Sequence, residues 1–88
     1  MPPSRWLADA MLRISLSSHA KQQMQRRSIT VEEIRAALTN SHITYPGTNP
    51  KGDTVVVVGT CPSGRELCVV VAKEDVSFVV TTYWKEDS

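Results

Sequence analysis

The sequence predicts an α+β fold in which two N-terminal helices pack on a three- to four-stranded antiparallel meander sheet. Three observations predict it. A capped amphipathic stretch occupies residues 30–39. Three β-branched runs at 54–60, 66–73 and 76–84 are joined by connections too short for a crossover. The chain has 88 residues, 41% hydrophobic and 22% charged, which suits one globular domain and argues against disorder. Residues 14–88 are read as that domain and residues 1–13 as an N-terminal arm or short helix.

Residues 4–13 place Trp6, Leu7, Ala10 and Met11 on one helical stripe. Ser18 reads as an N-cap for a helix over 19–27, in which only Ala20 and Met24 are apolar, so its core-facing stripe is narrow. Thr30-Val31-Glu32-Glu33 is a capping box, with Ile29 and Ile34 at the two staple positions. Val31, Ile34, Ala37 and Leu38 then form an apolar face through residue 39. Ile43–Tyr45 fits a short strand, and the proline and glycine of 46–52 predict a loop. In the three later strands Val55–Val58 and Leu67–Ala72 do not alternate, so both faces of the sheet are apolar. Two helices cover one face. The other is expected to be covered by the 4–13 segment, by a second copy of the chain, or by a partner protein.

Net charge is only +1, which excludes a protein that binds nucleic acid by bulk charge and leaves a local basic patch open. The charge is uneven: seven Lys/Arg against three Asp/Glu in residues 1–52 give +4, and three against six in 53–88 give −3. No apolar run is long enough to span a membrane, and Asp9 and Arg13 interrupt the start in a way that does not suit a signal peptide. A cytoplasmic location follows as the expectation. Cys61 and Cys68 flank a turn at Pro62–Gly64. With Ser63–Gly64 as the tip they become diagonal neighbours on one face, beyond usual disulfide reach, and are read as buried free thiols. Two cysteines and two histidines without a C-x-x-C pair make no zinc site, so no metal or cofactor is expected.

Ser18-His19-Ala20, followed by Met24, Arg27 and Ile29, resembles the start of a family of small bacterial proteins of unknown function, whose members carry S/T-x-H-A-x-x-x-M-x-x-R-x-I. The likeness continues through Gly64-Arg65-Glu66-Leu67 to Thr81-Thr82-Tyr83 and covers roughly residues 14–84. Gln22 and Gln23 stand where more charge is usual, and Ser28 where a glycine is often found. That family looks related to the RelE-type superfamily of ribonuclease toxins, with its barnase-like and colicin-type members. The resemblance implies a RelE-like scaffold, a metal-independent RNA-cleaving activity of toxin–antitoxin or effector type, RNA as substrate, and an antitoxin or homodimer partner.

Metal-free RNA cleavage needs a base for the 2′-hydroxyl proton, an acid for the leaving oxygen, and cations for the charge that develops on phosphorus. His19, in the first turn of a helix beside open backbone amides, is of the side-chain type suited to such proton transfer. His19, Gln23 and Arg26 share one stripe with Arg27 beside it. A histidine after an N-cap serine can equally anchor helix to sheet, and arginines in a last helical turn offset the dipole. The candidate catalytic residues are therefore His19, Arg27 and Tyr83. The candidate substrate contacts are Arg26, Arg65 beside the hairpin tip and Lys85 after the last strand. Tyr83 can stack a base, worth about 1–3 kcal/mol, or close a core. Tyr45 and His42 carry less weight. A non-catalytic interaction module (a degenerate toxin, an immunity-like protein or a homodimeric regulator) is the alternative function.

Overall fold

The computed structural model describes residues 14–48 and 52–87. Their elements run β1 (Ser15–Leu16), α1 (Ser18–Arg27), α2 (Val31–Thr39), β2 (Ser41–Pro46), β3 (Thr54–Thr60), β4 (Glu66–Ala72) and β5 (Phe78–Trp84), closed by a 3₁₀ turn, Lys85–Asp87. The arm or short helix expected over residues 1–13 lies outside the described residues. The α+β class holds, with two helices among the described residues, but the sheet has five strands in the order β1-β5-β4-β3-β2 and is mixed. The antiparallel count of three to four strands is thus corrected. β2 to β5 form the antiparallel meander, and β1 adds a parallel edge, Ser15 opposite Phe78 and Leu16 opposite Val79. Two residues are too few to show a period, which is why no sequence pattern announced this strand.

Ser17, not Ser18, caps α1. Its Oγ accepts from the Ala20 amide at 3.0 Å and donates to the Val80 carbonyl at 2.6 Å, so the cap also ties the helix to β5. The box at the start of α2 is closed in both directions: Thr30 Oγ1 accepts from the Glu33 amide and Glu33 Oε1 accepts from the Thr30 amide. Both helices lie on one face of the sheet. Ala20, Ile29, Ile34, Ala37 and Leu38 pack there against Leu67, Val69, Val71, Val79 and Trp84. Each aliphatic side chain so buried contributes about 1.5–3 kcal/mol.

The β3–β4 hairpin is one residue out of the expected register. Cys61 N donates to Arg65 O at 2.9 Å, leaving a three-residue tip, Pro62–Gly64, with Gly64 at φ +89. Thr60 therefore opposes Glu66 and Val58 opposes Cys68. A one-residue slip exchanges faces: Cys61 joins the helix-side core and Cys68 the opposite cluster, so the two free thiols are separated by the sheet rather than diagonal on one face.

The second face carries its own cluster, Val56, Val58, Cys68 and Val70, with Val80 and Tyr83 packed against it. A bulge in β5 makes this possible. Val70 opposes Thr81 and Val71 opposes Val79, so Val80 is the extra residue. It shifts the alternation, sending Val79 into the helix-side core and Val80 to the other side. No helix among the described residues is long and apolar enough to cross a membrane.

Candidate functional site

The sheet face opposite the helices gathers chemistry-bearing side chains. Cross-strand pairing lines it in rows: Tyr45, Val56, Val70 and Thr81; then Ile43, Val58, Cys68 and Tyr83; then Glu66 near the hairpin. A second bulge, between Ser41 and Ile43, leaves His42 as the extra residue of β2, with its Nε2 3.5 Å from Glu66 Oε1. Lys85, just past β5, puts its Nζ 3.0 Å from the other oxygen of Glu66. One carboxylate thus bridges an imidazole and an ammonium at the end of an apolar sheet face.

The two tyrosines stand beside this charged row. The Tyr83 phenol lies near Tyr45 and the Cys68 thiol, and both raise its pKa. Tyr45 is on β2 and Tyr83 on β5, so their side chains meet above β3 and β4. With Val56, Val70, Val80 and Thr81 they line a groove of about 580 Å³. Burial, reinforced by Cys68 and Tyr45, pushes the Tyr83 phenol up to about 12. At neutral pH it is a hydrogen-bond donor and a stacking surface, not a base. Burial also pushes the Cys61 and Cys68 thiols up, which keeps them protonated and unsuited to nucleophilic attack. The hydrogen bond from Lys85 holds the Glu66 carboxyl below its ordinary value, and the same bond raises the Lys85 ammonium.

The sequence-predicted residues fall in three places. Tyr83 and Lys85 are on the open face. Arg27 and Arg65 flank Trp84 at the helix-side end of β5: Trp84 Nε1 donates to the Arg27 carbonyl at 2.9 Å, and the Arg65 guanidinium lies 3.8 Å above the indole ring. The 3₁₀ turn supplies each arginine with a carboxylate, Asp87 at 3.2 Å from Arg27 and Glu86 at 2.6 Å from Arg65. Arg27 Nε also donates to Gln23 Oε1 at 2.9 Å, one helical turn back. His19 and Arg26 are exposed on the outer surface of α1. From His19 to Arg27 the helix rises about 12 Å. His19, Arg27 and Tyr83 therefore do not converge on one point. Among the described residues no three His, Cys, Asp or Glu side chains are grouped as metal ligands.

Glu66 and Cys68 are the members of the open-face cluster that the sequence did not single out, and His42 and Tyr45 are more central than their place after a helix suggested. The alternation in β2 carried a signal for Tyr45. Nothing local marked His42, because its position depends on the bulge.

A family model described as a domain of unknown function, DUF4258, matches residues 16–84, from the end of β1 to the last residue of β5. No curated protein and no solved structure matches the chain.

Proposed function

The chain belongs to the DUF4258 family, and we propose that it is a metal-independent RNA-cleaving domain of toxin type on a RelE-like scaffold. The observation that carries the reading is the open sheet face, where two tyrosines, an ammonium and an imidazole–carboxylate pair stand together beside a groove. Aromatic rings next to a cation are what a single-stranded nucleic acid requires: bases stack, and phosphates meet positive charge.

In the reaction a base takes the 2′-hydroxyl proton and the 2′-oxygen attacks phosphorus. The bond from phosphorus to the 5′-oxygen breaks, and an acid returns a proton to that oxygen. The products are a 2′,3′-cyclic phosphate and a 5′-hydroxyl end. Two imidazoles are the candidates for that proton transfer. His19 is the one the family resemblance implies, exposed in the first turn of α1 with Arg26 on the same stripe. His42 is the one the open face offers, paired with Glu66. Arg27 and Arg65 reach phosphate only by exchanging Asp87 and Glu86 for it.

Incubation of total RNA with the purified protein and with His19→Ala and His42→Ala variants of unchanged circular dichroism tests this. Loss of cleavage in His19→Ala alone supports the helix-borne group, and loss in His42→Ala alone relocates the chemistry to the open face. RNA left intact by the parent protein overturns the reading. The second reading, a non-catalytic interaction module, then stands. What favours it is that Arg27, Arg65 and Lys85 each face a carboxylate, so these three cations are already engaged.

A further inference from the structure

The two arginines at the end of β5 have partners of two kinds. The first kind is neutral. Arg65 lays its guanidinium 3.8 Å from the centre of the Trp84 ring, and Arg27 Nε donates to Gln23 Oε1 at 2.9 Å. The Trp84 indole also donates to the Arg27 carbonyl at 2.9 Å, so one buried side chain fixes both residues. The second kind is charged and comes from the 3₁₀ turn. Glu86 Oε1 lies 2.6 Å from Arg65 Nε, and Asp87 Oδ2 lies 3.2 Å from Arg27 Nη1. These carboxylates belong to consecutive residues whose side chains are 60% and 44% exposed, in a turn with no buried residue. Exposed ion pairs of this kind hold only weakly.

We propose that Arg27 and Arg65 form a phosphate-binding site which Glu86 and Asp87 keep closed by standing in for the phosphate groups. This rests on the reading of the two arginines as phosphate ligands and adds the group that competes for them. A carboxylate and a phosphate meet a guanidinium through the same N–H···O contacts, so an incoming phosphate replaces like with like. Trp84 and Gln23 hold the two cations when the carboxylates leave, so the site is in place before the ligand arrives. Lys85, the first residue of the turn, is anchored separately on Glu66 at 3.0 Å. Exchange at Glu86 and Asp87 therefore leaves the cluster on the open face intact. The phosphate groups can come from the backbone of a single strand or from a free polyphosphate.

The test follows the arginine Nε–Hε resonances of the full 88-residue chain by nuclear magnetic resonance. Inorganic tripolyphosphate and a single-stranded oligothymidylate are titrated separately. The latter lacks a 2′-hydroxyl and is not cut by the reaction above, so this result is independent of whether RNA is cleaved. Both Arg27 and Arg65 are expected to respond. A response to the oligonucleotide alone assigns a strand backbone, and a response to tripolyphosphate alone assigns a free polyphosphate. Glu86→Gln combined with Asp87→Asn is expected to tighten binding about tenfold. Glu74→Gln combined with Asp75→Asn makes the same change in net charge at the opposite end of β4 and β5, and is expected to leave affinity within about twofold. Adding Arg27→Gln and Arg65→Gln to the opened variant is expected to abolish binding, with the Trp84 indole resonance reporting an intact fold. Equal tightening by both acidic pairs overturns the proposal in favour of bulk charge. A response that spares either arginine, or none to either probe in the opened variant, overturns it outright.

Discussion

The α-carbon of Gly59 lies against the backbone of Ala37, so close that a β-carbon on residue 59 would collide with the Ala37 carbonyl oxygen. The obstacle is main chain and cannot rotate aside. Gly59→Ala has to push α2 off β3, at a cost of about 1–3 kcal/mol. Urea unfolding of the variant is expected to show a midpoint lowered accordingly, and an unchanged midpoint would mean that α2 does not approach β3 in this way.

Ser28 closes α1 in the left-handed region at φ 55, its amide bonded to the Met24 carbonyl. A side chain is strained there and glycine is not. Ser28→Gly is expected to stabilise the protein by about 0.5–1 kcal/mol, the strain relieved less the added freedom of the unfolded chain. Thermal unfolding checks the sign, and a lower melting temperature would count against the left-handed cap.

Trp84 is buried at 2% exposure, with its indole N–H on the Arg27 carbonyl and the Arg65 guanidinium above its ring. Trp84→Phe keeps an aromatic ring but strands that carbonyl, at about 1–3 kcal/mol. Arg65→Ala removes the cation and is expected to cost about 0.5–1 kcal/mol. Denaturant titration of the two variants is expected to rank them in that order.

Tyr83 gives a pH signature. Its phenol titrates at about 12 in the folded chain, against a reference of 10.0. The folded state therefore binds this proton more tightly, so its contribution is complete below pH 10 and is lost as pH rises from 10 towards 12. Tyr83→Phe is expected to flatten the fall in stability across that window. Of the two tyrosines in the chain, Tyr83 should show a late phenolate absorbance step, and an ordinary titration of both would remove the basis for the effect.

Legibility in the sequence followed the range of the interactions. The capping box at Thr30 and Glu33 was readable because both partners lie within one helical turn. The strand at Thr54–Thr60 was readable as a β-branched run, to the residue. Arg27 and Arg65 could be named as cations, but their pairing with Asp87 and Glu86 spans 60 and 21 residues. His42 and Glu66, the pair at the edge of the open face, are joined across β3 by a bulge that no local pattern encodes.

By itself the amino-acid order determined the α+β class, the second helix with its cap, the β2–β5 meander and the two-sided apolar character of the strands, because propensity and periodicity act over a few neighbouring residues. Tertiary structure alone decided the parallel β1, the one-residue shift in the hairpin, the two bulges, and so which side chains share a face. The reason is the two-residue repeat of a β-strand: one added residue sends all that follow to the other side, and only contacts between distant strands select where that residue goes.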